Sequence, residues 1–105
     1  MSVQMNIKRQ PVIQRGCFII DPKRYTVILS DEQITLYPKE FDVLYLLAQY
    51  PGWVLSSEQI YDAIWQDDMA GGEHVVYNVI CQLRRKLKNP DMIQTVVGRG
   101  YRFAE

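Results

Sequence analysis

Residues 82–103, QLRRKLKNPDMIQTVVGRGYRF, combine a cluster of basic residues with a glycine-rich turn. Four basic residues occupy positions 84, 85, 86 and 88, and a Gly-Arg-Gly turn follows about ten residues later. The apolar run MIQTVV before this turn and the YRF after it predict a β-hairpin. The stretch therefore predicts a basic helix end followed by a hairpin that carries Arg99 at its tip.

Charge is divided unevenly along this chain of 105 residues, whose formal net charge is zero. Residues 1–73 contain six Lys and Arg against ten Asp and Glu, a net charge of −4. Residues 74–105 contain six against two, a net charge of +4. The last third is therefore expected to produce a local positive field. A charge run by itself is typical of a solvated helix face, so its meaning depends on the elements around it.

The length fits one domain with its own core. No apolar run approaches the roughly 20 residues that span a bilayer, and the first residues lack the apolar centre of a signal peptide, so a soluble cytoplasmic protein without a membrane partner is expected. Cys17 and Cys81 belong to no CxxC pair, so neither a disulfide nor a zinc site is predicted. Neither a nucleophile–base pair nor a phosphate-binding loop is present, and we expect no cofactor, no metal and no enzymatic activity.

Periodicity predicts the order of the elements. Residues 1–16 are assigned to a tail or linker, with room for one short strand around residues 12–14. Residues 17–105 form the domain, which opens with three short β runs joined by turns. A first helix starts at Pro38 and ends at Pro51-Gly52, and a second, capped by Ser56 or Ser57, turns Ile60, Ala63 and Ile64 inward. The third covers residues 73–88, and the fold class is α+β.

The third helix has two distinct faces. Val76, Ile80, Leu83 and Leu87 fall within a narrow arc that predicts the core face. The far side is predicted to hold Val75, Asn78, Val79, Gln82, Arg85 and Lys86. Asn78 and Gln82 can bridge adenine in the major groove of DNA, and valine methyls can contact the thymine methyl. Val79 has a second interpretation, as a core residue at the edge of the apolar stripe.

The cations predict contacts with phosphates and with the minor groove. Arg84, Arg85, Lys86 and Lys88 are expected to neutralise phosphates, which gives affinity without sequence information. Gly98 and Gly100 allow a tight turn that projects Arg99, and such an arginine can enter a narrow minor groove. His74 is expected to be solvent-exposed or to touch a phosphate. Trp65 is expected to be structural, with an indole N–H that could reach a phosphate.

Three segments resemble, in order and spacing, the C-terminal effector domain of OmpR/PhoB-type response regulators. They are LYPKEFDVLYLLAQYPGWVLSSEQIYDAIW, VVYNVICQLRRKLK and IQTVVGRGYRF. The resemblance implies a winged helix-turn-helix, with an N-terminal antiparallel sheet, three helices and a hairpin wing. It implies binding of double-stranded DNA at tandem direct repeats, control by a phosphorylated receiver domain, and no catalysis.

The same resemblance assigns individual roles. Val75, Asn78, Val79 and Gln82 match base-facing positions. The positions that match contacts with the DNA backbone are Trp65, His74, Arg84, Thr95 and Tyr101. The loop from Gln66 to Gly72 matches a segment that can touch RNA polymerase.

Three positions depart from the family pattern. Tyr37 stands where threonine usually caps the first helix, Gln82 stands where arginine is frequent, and the wing arginine lies between the glycines rather than at Val97. We therefore expect a poorer start to the first helix and a base preference shifted toward adenine. The sequence leaves open whether a receiver domain is attached. A rival interpretation is a winged-helix module whose basic helix docks on an acidic protein.

Overall fold

The computed structural model describes residues 11–65 and 72–104. It opens with a four-stranded antiparallel sheet in the order β1-β2-β3-β4. The strands are β1 (Ile13–Arg15), β2 (Phe18–Asp21), β3 (Thr26–Leu29) and β4 (Glu32–Ile34). The first strand lies in the segment assigned to the tail, one residue later than the short strand expected there. Phe18, Ile20 and Val27 alternate with less buried neighbours, so one face of the sheet covers the core.

Three helices follow the sheet, as predicted: α1 (Pro38–Gln49), α2 (Ser57–Ile64) and α3 (Glu73–Leu87). The Ser56 side chain caps α2 by accepting a hydrogen bond from the Gln59 N–H at 3.0 Å, and the Ser56 N–H donates to Gln59 Oε1 at 2.8 Å. At α1 only half of such a box operates. Glu40 Oε1 accepts from the Tyr37 N–H at 2.9 Å, whereas the tyrosine side chain makes no cap hydrogen bond.

The helices bury the faces that periodicity predicts, with one exception. Val76, Ile80, Leu83 and Leu87 are fully buried, and so is Ile60 of α2. The prediction for Ala63 was wrong, because this residue is exposed. It lines an open apolar groove between α1 and α2, together with Leu46 and Trp53.

A short 3-10 helix (Pro90–Met92) leads into the C-terminal hairpin, β5 (Ile93–Val96) and β6 (Gly100–Phe103). The hairpin is not an isolated finger. Leu55 and Tyr101 exchange backbone hydrogen bonds of 2.8 and 2.9 Å, and the Gly52 N–H donates to the Phe103 carbonyl at 2.9 Å. The segment between α1 and α2 therefore pairs with β6 through an isolated antiparallel bridge at Leu55 and Tyr101.

Gly100 is required by this pairing. Its φ of +143° is strained for any residue with a side chain, and a Cβ atom there would overlap the carbonyl oxygen of Leu55. The Phe18 and Phe103 rings meet edge to face, with centroids 6.4 Å apart, and so join the N-terminal sheet to the hairpin. The α+β winged-helix arrangement is confirmed. In the described part of the chain, the helices are too short or too polar to cross a membrane.

Candidate nucleic-acid interface

The exposed face of α3 is the centre of the candidate site. His74, Asn78 and Arg85 are exposed, and their spacing of four and seven residues places them on one side of the helix, opposite the buried arc. Gln82 is half-buried beside them. This face carries an imidazole, two amides and a guanidinium, which are groups that hydrogen-bond to base edges and phosphates.

Two valines form the edge of this face nearest the core. Val75 and Val79 are half-buried, and both pack against the hydrophobic core. For Val79 this agrees with the second of its two interpretations, a residue at the edge of the apolar stripe. Any methyl contact with a base from these positions would use only the part of each side chain that stays in solvent.

Tyr77 lies on the opposite edge of α3 and was missed as a candidate. It is 56% exposed, and a side-chain hydrogen bond with Cys81, one turn further along, raises the pKa of its phenol. The phenol therefore stays neutral near pH 7 and can act as a donor or an acceptor. Helical periodicity could have identified Tyr77, because it follows buried Val76 and is therefore turned about 100° away from the core.

Lys86 does not lie on the exposed face, although the sequence placed it on the far side of the helix; its assignment to a DNA phosphate stays a prediction. Its ammonium lies 2.7 Å from Glu40 Oε1 and 4.3 Å from the centre of the Tyr37 ring, at the start of α1. Glu40 is only 5% exposed, so its carboxylate needs a partner. The side chain of Lys86 follows the flank of the helix towards this carboxylate, and α3 is thereby fastened to α1.

Arg84 is likewise turned away from the exposed face. Its Nε and Nη2 atoms donate to the Ile93 carbonyl at 3.0 and 2.7 Å, and Nη2 also donates to Thr95 Oγ1 at 2.8 Å. Its guanidinium carbon lies 5.9 Å from the centre of the Tyr101 ring. The sequence assigns Arg84 to a phosphate, which stays a prediction; in the structure its contacts direct it to the hairpin.

Thr95 and Tyr101 are therefore first of all partners of Arg84. Thr95 is exposed, and its hydroxyl retains a donor that is not used towards Arg84. Tyr101 is 8% exposed and belongs to the core. A contact of Tyr101 with a DNA phosphate would involve only the outer edge of its side chain.

Residues 97–99 form the turn of the hairpin, and we call them the wing tip. Arg99 is exposed, and its backbone N–H closes the turn by donating to the Val96 carbonyl at 2.8 Å. A cleft of about 400 Å³ separates Arg99 from the first turn of α2 at Ser57. The guanidinium of Arg99 is thus presented beside a polar cleft rather than buried, as the sequence predicted.

Trp65 is mainly structural. It is 7% exposed, its ring stacks on Tyr61 with centroids 5.6 Å apart, and Lys39 Nζ lies 5.7 Å from the ring while donating to the Ile64 carbonyl at 2.9 Å. These contacts close the C-terminal end of α2. The predicted polymerase-contacting loop follows directly, but residues 66–71 lie outside the described residues.

The chain matches known proteins over most of its length. The model of a family described as "Transcriptional regulatory protein, C terminal" matches residues 31–103. The transcriptional regulatory protein CutR of Streptomyces coelicolor is 39% identical over 93 residues, which cover 89% of this chain and 43% of CutR. This chain therefore spans less than half the length of that relative.

Two solved structures share the architecture. The DNA-binding domain of Klebsiella pneumoniae RstA, in complex with the RstA box, superposes with a TM-score of 0.79 at 31% identity, over 89% of this chain and 96% of that one. The Thermotoga maritima response regulator DrrB, an OmpR/PhoB homologue, gives a TM-score of 0.80 at 30% identity, over 98% of this chain and 49% of that one. The chain therefore belongs to the OmpR/PhoB-type family of transcriptional regulatory proteins and corresponds to their C-terminal effector domain.

Proposed function

We propose that this chain binds double-stranded DNA sequence-specifically, with α3 in the major groove and the wing tip at the adjacent minor groove, and thereby regulates transcription. The observation that carries the proposal is the exposed polar face of α3, His74, Asn78 and Arg85, beside an exposed Arg99 on the wing. A helix with one buried face and one polar exposed face fits the major groove. The similarity to RstA, which was solved bound to its DNA box, supports the same use of the fold.

The contacts fall into two classes. Asn78 and Gln82 carry amides that can pair with adenine, so they are assigned to base recognition. Arg85, Lys88 and His74 are exposed and are assigned to phosphates, where they add affinity for every sequence. Arg99 is assigned to the minor groove, whose negative potential attracts a projecting guanidinium.

The regulatory context is a further part of the proposal. The similarity to DrrB, a response regulator, supports an effector domain that is controlled by a receiver domain. Tandem direct repeats are the proposed arrangement of its DNA sites. RNA polymerase is the proposed partner of the loop from Gln66 to Gly72. The rival function, docking on an acidic protein, makes a different prediction, because it requires no preference among DNA sequences.

The test is selection of bound duplexes from a random pool, followed by affinity measurements over a range of salt concentrations. We expect one selected motif, and log affinity that falls linearly with log salt. Gln82→Ala should change the preference among sites by about 1–3 kcal/mol for a lost base contact, and Arg85→Ala should weaken all sites about equally. Arg24→Ala is the matched control, an exposed arginine in the β2–β3 turn of the other sheet.

The results that contradict the proposal are distinct. Selection without a motif, together with weak binding of all duplexes, would reject sequence-specific DNA recognition and favour the protein-docking alternative. A motif with Gln82→Ala and Arg85→Ala acting alike on every sequence would retain DNA binding and reject the assigned roles. An Arg24→Ala effect as large as that of Arg85→Ala would show that charge alone is being measured.

A further inference from the structure

The contacts of Arg84 all run from α3 to the wing. Its side chain leaves the last turns of the helix, donates twice to the Ile93 carbonyl and once to the Thr95 hydroxyl, and lies against the Tyr101 ring. Ile93 and Thr95 belong to β5, and Tyr101 belongs to β6. One planar guanidinium therefore connects the helix to both strands of the hairpin.

These bonds are not easily exchanged for a phosphate contact. Nε and Nη2 use all three of their N–H groups in these hydrogen bonds of 2.7–3.0 Å, so they could bind a DNA phosphate only by releasing the Ile93 carbonyl and the Thr95 hydroxyl. A phosphate contact that leaves the three bonds intact would have to come from Nη1. Arg85, the next residue, is exposed and meets no such obstacle. The two adjacent arginines therefore have different roles, although both belong to the basic run that the sequence assigns to phosphates.

The hydrogen bonds of Arg84 hold β5 at Ile93 and Thr95, just before the wing tip. Between Thr95 and Tyr101, the described backbone hydrogen bonds are those within the hairpin and its turn, and the pairing of Tyr101 with Leu55. Arg99 follows the reversal of the chain: its N–H donates to the Val96 carbonyl at 2.8 Å, so its backbone lies within about 7 Å of Val96, the residue after Thr95. A tilt of about 10° at Thr95 would move the backbone of Arg99 by roughly 1 Å, more than the few tenths of an ångström over which a hydrogen bond tolerates displacement.

We propose that Arg84 is a positioning residue for DNA recognition. It holds the wing at a set angle to α3, so that Arg99 reaches the minor groove when the helix lies in the major groove. This inference rests on the proposed function, and it replaces the direct phosphate contact that the sequence predicts for Arg84. Its consequence is energetic coupling between Arg84 and Arg99, although neither side chain needs to touch the other.

A double-mutant cycle measures this coupling. The affinity of one selected duplex is determined for the wild type, Arg84→Met, Arg99→Ala and the double variant. Arg99→Ala should cost roughly tenfold in the wild-type background and less than about twofold once Arg84 is methionine. Arg85→Met with Arg99→Ala is the matched control pair and should be additive, since an exposed phosphate contact is independent of the wing angle.

Salt dependence separates positioning from direct contact. In the Arg99→Ala background, Arg84→Met should leave the slope of log affinity against log salt unchanged, whereas loss of a phosphate contact would lower the slope by about 0.9. Arg84→Lys adds a second criterion. Lysine retains the charge that a phosphate needs but lacks the planar fork that binds the Ile93 carbonyl, so positioning predicts that lysine behaves like methionine.

Each outcome decides the question. Additive effects of Arg84→Met and Arg99→Ala, or wild-type affinity for Arg84→Lys, would overturn the positioning role while leaving DNA binding intact. A wild-type protein that selects no duplex would instead reject the proposed function itself. If Arg84→Met does not fold, Thr95→Val removes one of the hydrogen bonds of Arg84 and should reduce the effect of Arg99→Ala, whereas an undiminished effect would count against the proposal.

Discussion

Replacement of Lys86 by methionine should destabilise the fold without altering DNA contacts. Lys86 Nζ lies 2.7 Å from Glu40 Oε1, and the same oxygen accepts the Tyr37 N–H at 2.9 Å. Methionine keeps most of the side-chain volume but removes the charge and the hydrogen bond to Glu40. The buried Glu40 carboxylate, at the start of α1, would then keep the Tyr37 N–H as a donor but would lose its cation.

The size of the effect follows from the distance and the burial. Two unit charges 2.7 Å apart attract by roughly 6 kcal/mol at an effective dielectric constant of 20, which is an upper limit because desolvation opposes it. Removal of one partner from a buried pair costs about 3–5 kcal/mol. The Lys86 side chain is 28% exposed, so water can partly replace the ammonium, and a loss of about 2–4 kcal/mol is expected. For a domain of this size, that corresponds to a fall in Tm of roughly 10–20 °C.

Urea unfolding followed by circular dichroism measures the loss. The matched control is Arg85→Met, the adjacent exposed residue on the same helix, which should change the free energy of unfolding by less than about 0.5 kcal/mol. Glu40→Gln combined with Lys86→Met should recover most of the lost stability, since glutamine can still accept the Tyr37 N–H while the unpaired charge disappears.

DNA binding supplies the opposite comparison. Lys86→Met, measured well below its unfolding transition, should keep the wild-type dependence of affinity on salt, whereas Arg85→Met should lower the slope by about 0.9. The reasoning is refuted if Lys86→Met is as stable as Arg85→Met and lowers the salt slope as much. That result would return Lys86 to the phosphate contact that the sequence predicts.

Two further predictions concern the wing turn and the N-terminal sheet. Gly100→Ala should lower the free energy of unfolding in urea by about 2–3 kcal/mol or more, because the φ of Gly100 is +143° and an added Cβ atom would overlap the Leu55 carbonyl. Gly98→Ala is the control and should lower it by about 1 kcal/mol, because the space around Gly98 is open. Equal losses would argue against the Leu55 contact. A hydrogen bond to Asp42, together with burial and the carboxylate charge, raises the pKa of Tyr25 to about 12. The stability that this phenol contributes is therefore present below pH 10 and is lost as the pH rises towards 12. Tyr25→Phe should remove this part of the alkaline loss, and an unchanged pH profile of urea unfolding would show that Tyr25 is not its source.

Periodicity alone was sufficient for the elements and for the core face of α3. Val76, Ile80, Leu83 and Leu87 repeat at helical intervals, and helix geometry then requires them to share one side. The turn at residues 97–99 was predictable for a similar reason, since flanking glycines permit backbone conformations that few other residues adopt. The need for glycine at position 100 was only partly visible, because the Leu55 carbonyl that excludes a Cβ atom comes from a distant segment.

The different contacts of Arg84, Arg85 and Lys86 depend on how α3 packs against the rest of the molecule. Consecutive helical residues point about 100° apart, so Arg84, Arg85 and Lys86 leave α3 towards the wing, the solvent and α1 respectively. Their long side chains can reach several partners, and which partner lies within reach depends on how the elements pack. Glu40 is 46 positions away from Lys86 in the chain, and no local pattern connects the two. The positions of the basic helix and the hairpin along the chain could be read from the residues alone, because backbone geometry is local. Packing between distant segments set which of the cations stay exposed to solvent.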